Sequence, residues 1–436
     1  MRRDNALIVS LDIGTYKTAV IVAEATPAEV EVIGIGTALS QGLRKSQVVN
    51  VEATVQAIRK AVDEAQMGAS CEIHNVCAGL TGEHITGLIS QGVVVVKDRE
   101  VSSADVARVI EVARAIALPS GYEILHVLPQ EFLVDGQDRS RDPVGTSGVR
   151  LEANVYVVAA WSDAVQTVSK CVERAGLHVR SLYFTALAAA EAVLTPEEKE
   201  LGVMLLDIGG GTTGLVVFHR GVVYHTAVLP VGGHHMTNDL AVGLRTPLAE
   251  AEKLKQRHGC ALVDLLTPGE MIEMPRVGGR EPAPLPRRRL SEIIEPRAEE
   301  IFVLVKDQLD GAGVLSKLGS GVVITGGSAI MEGMPELAER VFRMPVRRGT
   351  PRYIGGLVDA VNSPMYATGV GLALCEIQHT QLNGVPRMRG AYGWQRVRER
   401  LPWVRSTCMK PGFMGCGASG ASISKGDGPG APWTRA

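Results

Sequence analysis

Aromatic side chains are scarce in this 436-residue sequence: Phe, Trp and Tyr together make up 4% of it. That leaves little material for a base-stacking surface. A dominant charge is also missing, with 45 basic against 47 acidic residues. No global field invites a polyanion, and nucleic acid is not expected as a partner. The seven cysteines stand scattered at 71, 77, 171, 260, 375, 408 and 416. None forms a C-x-x-C pair and their number is odd, so a reduced, cytosolic protein is expected rather than a disulfide framework. No apolar run is long enough to span a bilayer, and Met1-Arg2-Arg3-Asp4-Asn5 passes straight into a strand pattern without a signal peptide. The length suits two or more domains with sizeable cores.

Against these absences stands one nearly repeated pattern. Leu205-Leu206-Asp207-Ile208-Gly209-Gly210-Gly211-Thr212-Thr213-Gly214-Leu215-Val216-Val217-Phe218 reads as a β-hairpin with a glycine turn. Leu7 to Val22, through Asp12-Ile13-Gly14-Thr15-Tyr16-Lys17-Thr18, has the same grammar. Glycines let backbone N–H groups close on an anion, and hydroxyls add donors. An Asp at the strand end is placed to hold Mg²⁺ through water, since that ion keeps much of its hydration shell. The repeat predicts two like-built lobes. Their hairpins would grip the phosphates of one nucleotide from both sides, through Gly14, Thr15 and Lys17 on one side and Gly209, Gly210, Gly211, Thr212 and Thr213 on the other. Asp12 and Asp207 would serve the same metal. A third element, Gly321-Val322-Val323-Ile324-Thr325-Gly326-Gly327-Ser328-Ala329-Ile330-Met331, is expected to be a buried strand, a turn and the start of a helix. Gly326, Gly327 and Ser328, running on to Met331, would let a flat ring such as adenine approach the backbone.

The rest of the chain supplies a frame. Strands are expected at 7–11, 18–24 and 30–36, and a helix over 51–67 with one apolar face used for packing. A strand follows in 71–80. From 84 to 163 the pattern changes to α+β: a strand at 92–96, a helix from a Ser102 cap to Ala117, two short strands around Pro129, then loop and strand. Helices are expected over 163–176, 247–259 and 290–309, and the alanine-rich stretch 185–194 is expected to join the lobes. Residues 275–289, with four prolines and five arginines, read as an extended basic surface stretch.

The three motifs together resemble the actin, Hsp70 and sugar-kinase superfamily. Further runs narrow the resemblance to the FtsA family of bacterial cell-division proteins. These are Asp135-Gly136-Gln137, Asp142-Pro143-Val144-Gly145 and Ser147-Gly148-Val149-Arg150-Leu151-Glu152 in the insert, with Val231-Gly232-Gly233, Thr237-Asn238-Asp239, Arg257-His258-Gly259-Cys260, Val277-Gly278-Gly279-Arg280, Ile293-Ile294-Glu295-Pro296-Arg297 and Asn362-Ser363-Pro364-Met365-Tyr366 beyond it. The resemblance implies an α/β, actin-like two-lobed ATPase fold with an FtsA-type inserted α+β domain, IC, in the first lobe. Domain IA would take 1–83 and 164–198, IC 84–163, IIA 199–230 and 304–380, and IIB 231–303. Residues 381–436 would form a linker, a membrane-targeting segment and a disordered tail. It further implies ATP and Mg²⁺ as cofactors, with Glu252 and Lys255 reaching the adenosine. The implied partners are other copies of the chain in a filament, the C-terminal tail of the tubulin-like FtsZ at domain IIB, and later division proteins, with domain IC as their candidate place. The implied location is the cytoplasmic face of the inner membrane at the division site.

The tail fits a peripheral anchor. Trp394, Val397, Leu401 and Val404 fall on one helical face, Trp403 lies beside it, and Arg396, Arg398 and Arg400 supply positive charge. Such a pattern suits anionic lipid, although Pro402 would kink it. Catalysis has less support. The segment Tyr183-Phe184-Thr185-Ala186-Leu187 lacks the carboxylate that related ATPases place there to orient water, so hydrolysis is expected to be slow at most. Two alternatives stay open at this point: a pilus or secretion platform protein of the same fold, and a small-molecule kinase.

Overall fold

A computed structural model describes residues 6–25, 30–274, 283–311 and 313–382. The segment carrying Trp394, Arg396, Val397, Arg398, Arg400, Leu401, Trp403 and Val404 lies outside the described residues, as does 275–282.

The first lobe opens with β1 (Ala6–Ile13), β2 (Lys17–Ala25) and β3 (Val30–Leu39), then a small hairpin of β4 (Leu43–Arg44) and β5 (Gln47–Val48). Helix α1 (Val51–Ala69) follows, its first turn capped by the Asn50 side chain accepting from the Ala53 amide. Strand β6 (Asn75–Leu80) leads into the insert: β7 (Thr86–Val95), α2 (Ser103–Arg114), β8 (Tyr122–Val134), β9 (Gln137–Ser140) and β10 (Arg150–Trp161). Ser102 and Asp105 close a capping box on α2. The lobe ends with α3 (Ser162–Arg174), β11 (His178–Phe184) and α4 (Thr185–Val193).

The second lobe begins with α5 (Pro196–Leu201), β12 (Val203–Ile208), β13 (Thr213–His219) and β14 (Val222–Leu229). An excursion follows through α6 (Gly233–Leu244), α7 (Leu248–His258), β15 (Met271–Met274), β16 (Ala283–Pro286) and the long α8 (Arg287–Asp310). The chain returns through β17 (Val322–Thr325), α9 (Met334–Phe342) and β18 (Val346–Arg348), and finishes with β19 (Gly355–Gly356), α10 (Val358–Val361) and α11 (Ala367–Leu382).

The two main sheets are built to one plan. Their strand orders are β11-β6-β1-β2-β3, with β19 added at the β3 edge, and β18-β17-β12-β13-β14. Each has an antiparallel hairpin whose first strand is flanked by a parallel strand. Even the turns match: the Gly14 amide donates to the Lys17 carbonyl at 3.0 Å, and the Gly209 amide to the Thr212 carbonyl at 2.9 Å. The insert forms its own sheet, ordered β7-β10-β8-β9, with Val106, Val109 and Ile110 of α2 packed into its core.

The lobes are joined by exchanged helices. α4 leaves the first lobe and packs against β12 and β13, while α11 packs against β1, β2 and β6. One apolar core therefore runs from the first sheet through Ala186, Ala189, Val370 and Ala373 to Val203, Leu205 and Val216 of the second. Strand β12 shows why its run is unbroken: Val203 and Leu205 face this shared core, whereas Met204, Leu206 and Ile208 face the second lobe's own core with Phe302 and Val305.

Three expectations need correction. Residues 122–134 form one strand, not two: Pro129 sits at a bulge where Asn154 pairs with Glu131 and Val155 with Pro129, which accommodates the missing N–H. Arg287, Arg288 and Arg289 are helical rather than extended, and Arg287 is held by Glu270 and Glu332. After Gly326 the chain makes a short 3₁₀ turn, Gly327–Ile330, before α9 begins at Met334.

A Cβ on Gly371 would lie 1.8 Å from the Ala188 carbonyl oxygen, far inside van der Waals contact, whereas one on Gly68 meets nothing closer than 3.8 Å. Gly371→Ala is therefore expected to lower the unfolding free energy by roughly 1–3 kcal/mol. Gly68→Ala, within α1, is expected to raise it by up to about 1 kcal/mol. Urea unfolding of the two variants checks this, and equal effects would show that α4 and α11 do not rely on this backbone approach.

Candidate functional site

Because the sheets share one plan and are joined by the crossed helices, the ends of β1 and β12 meet between the lobes. Asp12 and Asp207 come close enough for each other's charge to matter, and the Lys17 ammonium is near enough to feel both. Thr368 at the head of α11 donates to Asp207 Oδ2 at 2.9 Å. Lys17 Nζ donates to the Met365 carbonyl at 3.0 Å and sits 3.7 Å above the Tyr366 ring. Burial pushes the Asp12 carboxyl up to about 7; Lys17 opposes this and Asp207 adds to it. Burial likewise pushes Asp207 up to about 6, against the Thr368 hydrogen bond and Lys17. Lys17 is pulled down to about 8 by burial, against both carboxylates.

Two carboxylates sharing one ammonium leave one negative charge uncompensated, so the donor set fits a cation. Among the described residues no group of three or more His, Cys, Asp or Glu is arranged to hold a metal ion by itself. The set therefore suits an ion that keeps water and anionic ligands of its own, such as Mg²⁺, rather than a cage made of protein alone.

The glycines are needed for close approach. Gly326 has φ +88°, and a Cβ there would collide with Asp207 Oδ1 and the Ile208 carbonyl. A Cβ on Gly210 would lie 3.1 Å from Tyr16 Cβ, and one on Gly211 2.6 Å from Thr15 Oγ1, so the two turns touch face to face. The amides of Gly210 and Gly211 make no backbone hydrogen bond among the described residues, which leaves them as anion donors. Gly327 faces open space.

The remaining sequence-predicted residues cluster at the same turns. Ser328 Oγ donates to the Gly209 carbonyl at 3.1 Å. Lys255 Nζ is buried on the Gly233 carbonyl at 3.0 Å, Thr237 Oγ1 at 2.8 Å and Glu252 Oε2 at 2.7 Å, and Thr237 also donates to Glu252. The Gly233 amide donates to the Gly209 carbonyl at 2.9 Å, which ties this pair to the second turn. Thr213 points elsewhere: its hydroxyl is spent on the Val231 carbonyl at 2.8 Å. Met331 is half-buried against the second lobe's core.

Several residues here carry no sequence signal. Gln256 donates to the Tyr16 hydroxyl at 2.9 Å and to Glu252 Oε1 at 2.8 Å, so Tyr16 reaches across to α7; its ring also meets His234 edge-on. Ser46 joins Thr15 and Thr212 through their hydroxyls. Ahead of α4, the Tyr183 hydroxyl donates to Glu376 and the Phe184 amide to His126 Nε2, in place of a carboxylate aimed at the turns.

The charge balance gives a signed prediction. Asp12 and Asp207 hold their protons longer folded than unfolded, so the metal-free protein is expected to lose stability as pH rises from about 4 to about 7. Lys17 releases its proton early when folded, so stability is expected to recover between about 8 and 10.5. Asp12→Asn is expected to flatten the lower slope and to regain about 1–3 kcal/mol at pH 8. Thermal melts across pH, without and with Mg²⁺, check this; an unchanged slope in the variant would sink the account.

Comparison with known proteins agrees with the geometry. The family model described as cell division protein FtsA matches residues 204–371, and that of the SHS2 domain inserted in FtsA matches 82–159. Cell division protein FtsA of Pseudomonas aeruginosa is 49% identical over 373 residues, covering 85% of this chain and 89% of that one. Among solved structures, the PilM-PilN type IV pilus biogenesis complex aligns with TM-score 0.60 at 18% identity, over 84% of this chain and 97% of that chain. MreB5 of Spiroplasma citri bound to ADP aligns with TM-score 0.53 at 14% identity, over 87% and 99%. At those identities the two structures speak for the fold alone, whereas the sequence relatives favour cell division over the pilus-platform and kinase alternatives. The chain belongs to the FtsA family of cell-division proteins, with an actin-like two-lobed fold and the FtsA-type inserted domain.

Proposed function

We propose that this division protein binds ATP with Mg²⁺ between its lobes, assembles into filaments, and tethers the FtsZ ring to the cytoplasmic face of the inner membrane. The observation that carries the nucleotide part is the pair of matching turns, which bring Asp12, Asp207 and Lys17 together one positive charge short. Asp12 and Asp207 would hold Mg²⁺ through water. Gly14, Thr15, Lys17 and the Gly209–Thr213 turn would take the phosphates. Glu252, Lys255, Gly326, Gly327, Ser328 and Met331 would border the adenosine. MreB5 of Spiroplasma citri, with the same fold, is described bound to ADP and to AMPPNP, which supports a nucleotide in this cleft. Bound Mg²⁺ would supply the charge that holds the two carboxylates ionised. Hydrolysis would be slow at most, since no carboxylate stands in Tyr183–Leu187 to orient water.

In this reading the division into domains follows the boundaries expected above. Domain IIB would meet the C-terminal tail of FtsZ, and domain IC would meet later division proteins. Among the described residues no helix is long and apolar enough to cross a membrane. The anchor would be the Trp394–Val404 segment, lying in the interface of an anionic bilayer.

Co-sedimentation with anionic liposomes tests the tether. The full chain is expected to pellet with lipid and to carry an FtsZ tail peptide with it, more so with Mg-ATP. A chain cut after residue 386 is expected to stay in solution, and Asp207→Asn to lose the nucleotide effect while keeping lipid binding. If both lengths stay soluble under every condition, the tail is not an anchor and the tether reading fails.

A further inference from the structure

The hairpin β4–β5 turns on Lys45 and Ser46, at φ 49° and 61°. A two-residue turn with both central residues in the left-handed region normally uses Asn and Gly. Here two residues with side chains hold that strained shape, and such strain tends to gather at switches and ligand clamps. The base of the hairpin is fixed: the Val49 and Asn50 amides both donate to the Gly42 carbonyl, and Asn50 caps α1. The tip is what faces the second lobe.

Three hydroxyls converge at that tip. Ser46 Oγ lies 2.9 Å from Thr212 Oγ1 and 3.3 Å from Thr15 Oγ1, and the Ser46 amide donates to Thr15 Oγ1 at 3.0 Å. Each belongs to a different turn. A Cβ on Gly211 would lie 3.0 Å from Lys45 Cα, so the glycine is needed for the tip to sit there. Lys45 is loosely engaged: its ammonium is 3.9 Å from Glu83, and both side chains are half exposed. The second turn runs in one direction across the cleft. Gly209 lies beside Ser328 and Gly233, Gly210 beside Tyr16, Gly211 beside Thr15 and Lys45, and Thr212 beside Ser46. Ser46 therefore stands at the end away from the Ser328 and Lys255 side.

We propose that Ser46, assisted by Lys45, reads the terminal phosphate of the bound nucleotide and gives the cleft its preference for a triphosphate over a diphosphate. This rests on the nucleotide reading above. The three hydroxyls now satisfy one another. A phosphoryl oxygen placed among them would accept from all three, and its charge would draw Lys45 away from Glu83. A diphosphate stops one group short, leaving Ser46 bonded to Thr15 and Thr212. The tip would then report to α1, through its fixed base, which nucleotide is bound.

The test uses the full chain and calorimetric titration with Mg-AMPPNP and Mg-ADP. Ser46→Gly relieves the backbone strain and keeps the amide, so the variant should fold at least as well as the parent. Its AMPPNP affinity is expected to fall about tenfold while ADP affinity stays within about twofold. Lys45→Gly is expected to weaken AMPPNP binding and to lessen its salt dependence. A ratio of the two affinities unchanged in Ser46→Gly, or an equal fall for both nucleotides, overturns the proposal while leaving nucleotide binding intact. If the parent binds neither nucleotide, the reading beneath it fails as well.

Discussion

Helices α4 and α11 cross with Gly371 seated against the Ala188 carbonyl, a distance only a residue without a side chain permits. That contact determines how far apart the two sheets lie. α4 carries alanines where larger side chains would hold the lobes away, and α11 answers with Gly371. Each helix packs on the sheet of the other half of the chain, so neither sheet is complete alone. With the sheets held this closely, the strand ends bearing Asp12 and Asp207 are brought together. Thr368 at the head of α11 then reaches Asp207 directly.

The closeness costs electrostatic free energy. Carboxylates removed from water near each other resist ionisation, and one lysine, itself pulled toward neutrality, does not settle the balance. The surroundings are otherwise well satisfied: Lys255, Glu252, Thr237 and Gln256 form a connected set, and the Ser46 tip closes the cleft with hydroxyl groups. The unmet demand is thus localised at the two aspartates and at the Gly210 and Gly211 amides, where a divalent cation and an anionic ligand would arrive together.

Much of this was legible in local sequence. The hairpin turns carry their own glycines and threonines, so both could be read without knowing the partner lobe. The Ser102 cap and the alanines of α4 are likewise local signals. What escaped depends on distant residues. Pro129 reads as a strand break, but its bulge is sustained by β10, more than twenty residues on. Arg287 looks like surface charge until Glu270 and Glu332 are brought to it. Ser46 gives no hint of Thr212, 166 residues away, because nothing in Lys45-Ser46 resembles the Asn-Gly expected of such a turn.

Strand β19 lies among the last described residues, yet it adds to the first sheet, pairing Gly355 with Glu31 and Gly356 with Val32. α11, later still, covers the face of that same sheet. During synthesis the first lobe, otherwise made by the end of α4, therefore keeps one edge bare and one apolar face open until β19 and α11 have followed. The insert has its own sheet and helix and can form early, while the lobe that carries it waits. A nascent chain of this kind spends most of its time on the ribosome with its first lobe unfinished, and premature termination anywhere before residue 367 leaves β1, β2 and β6 without their cover.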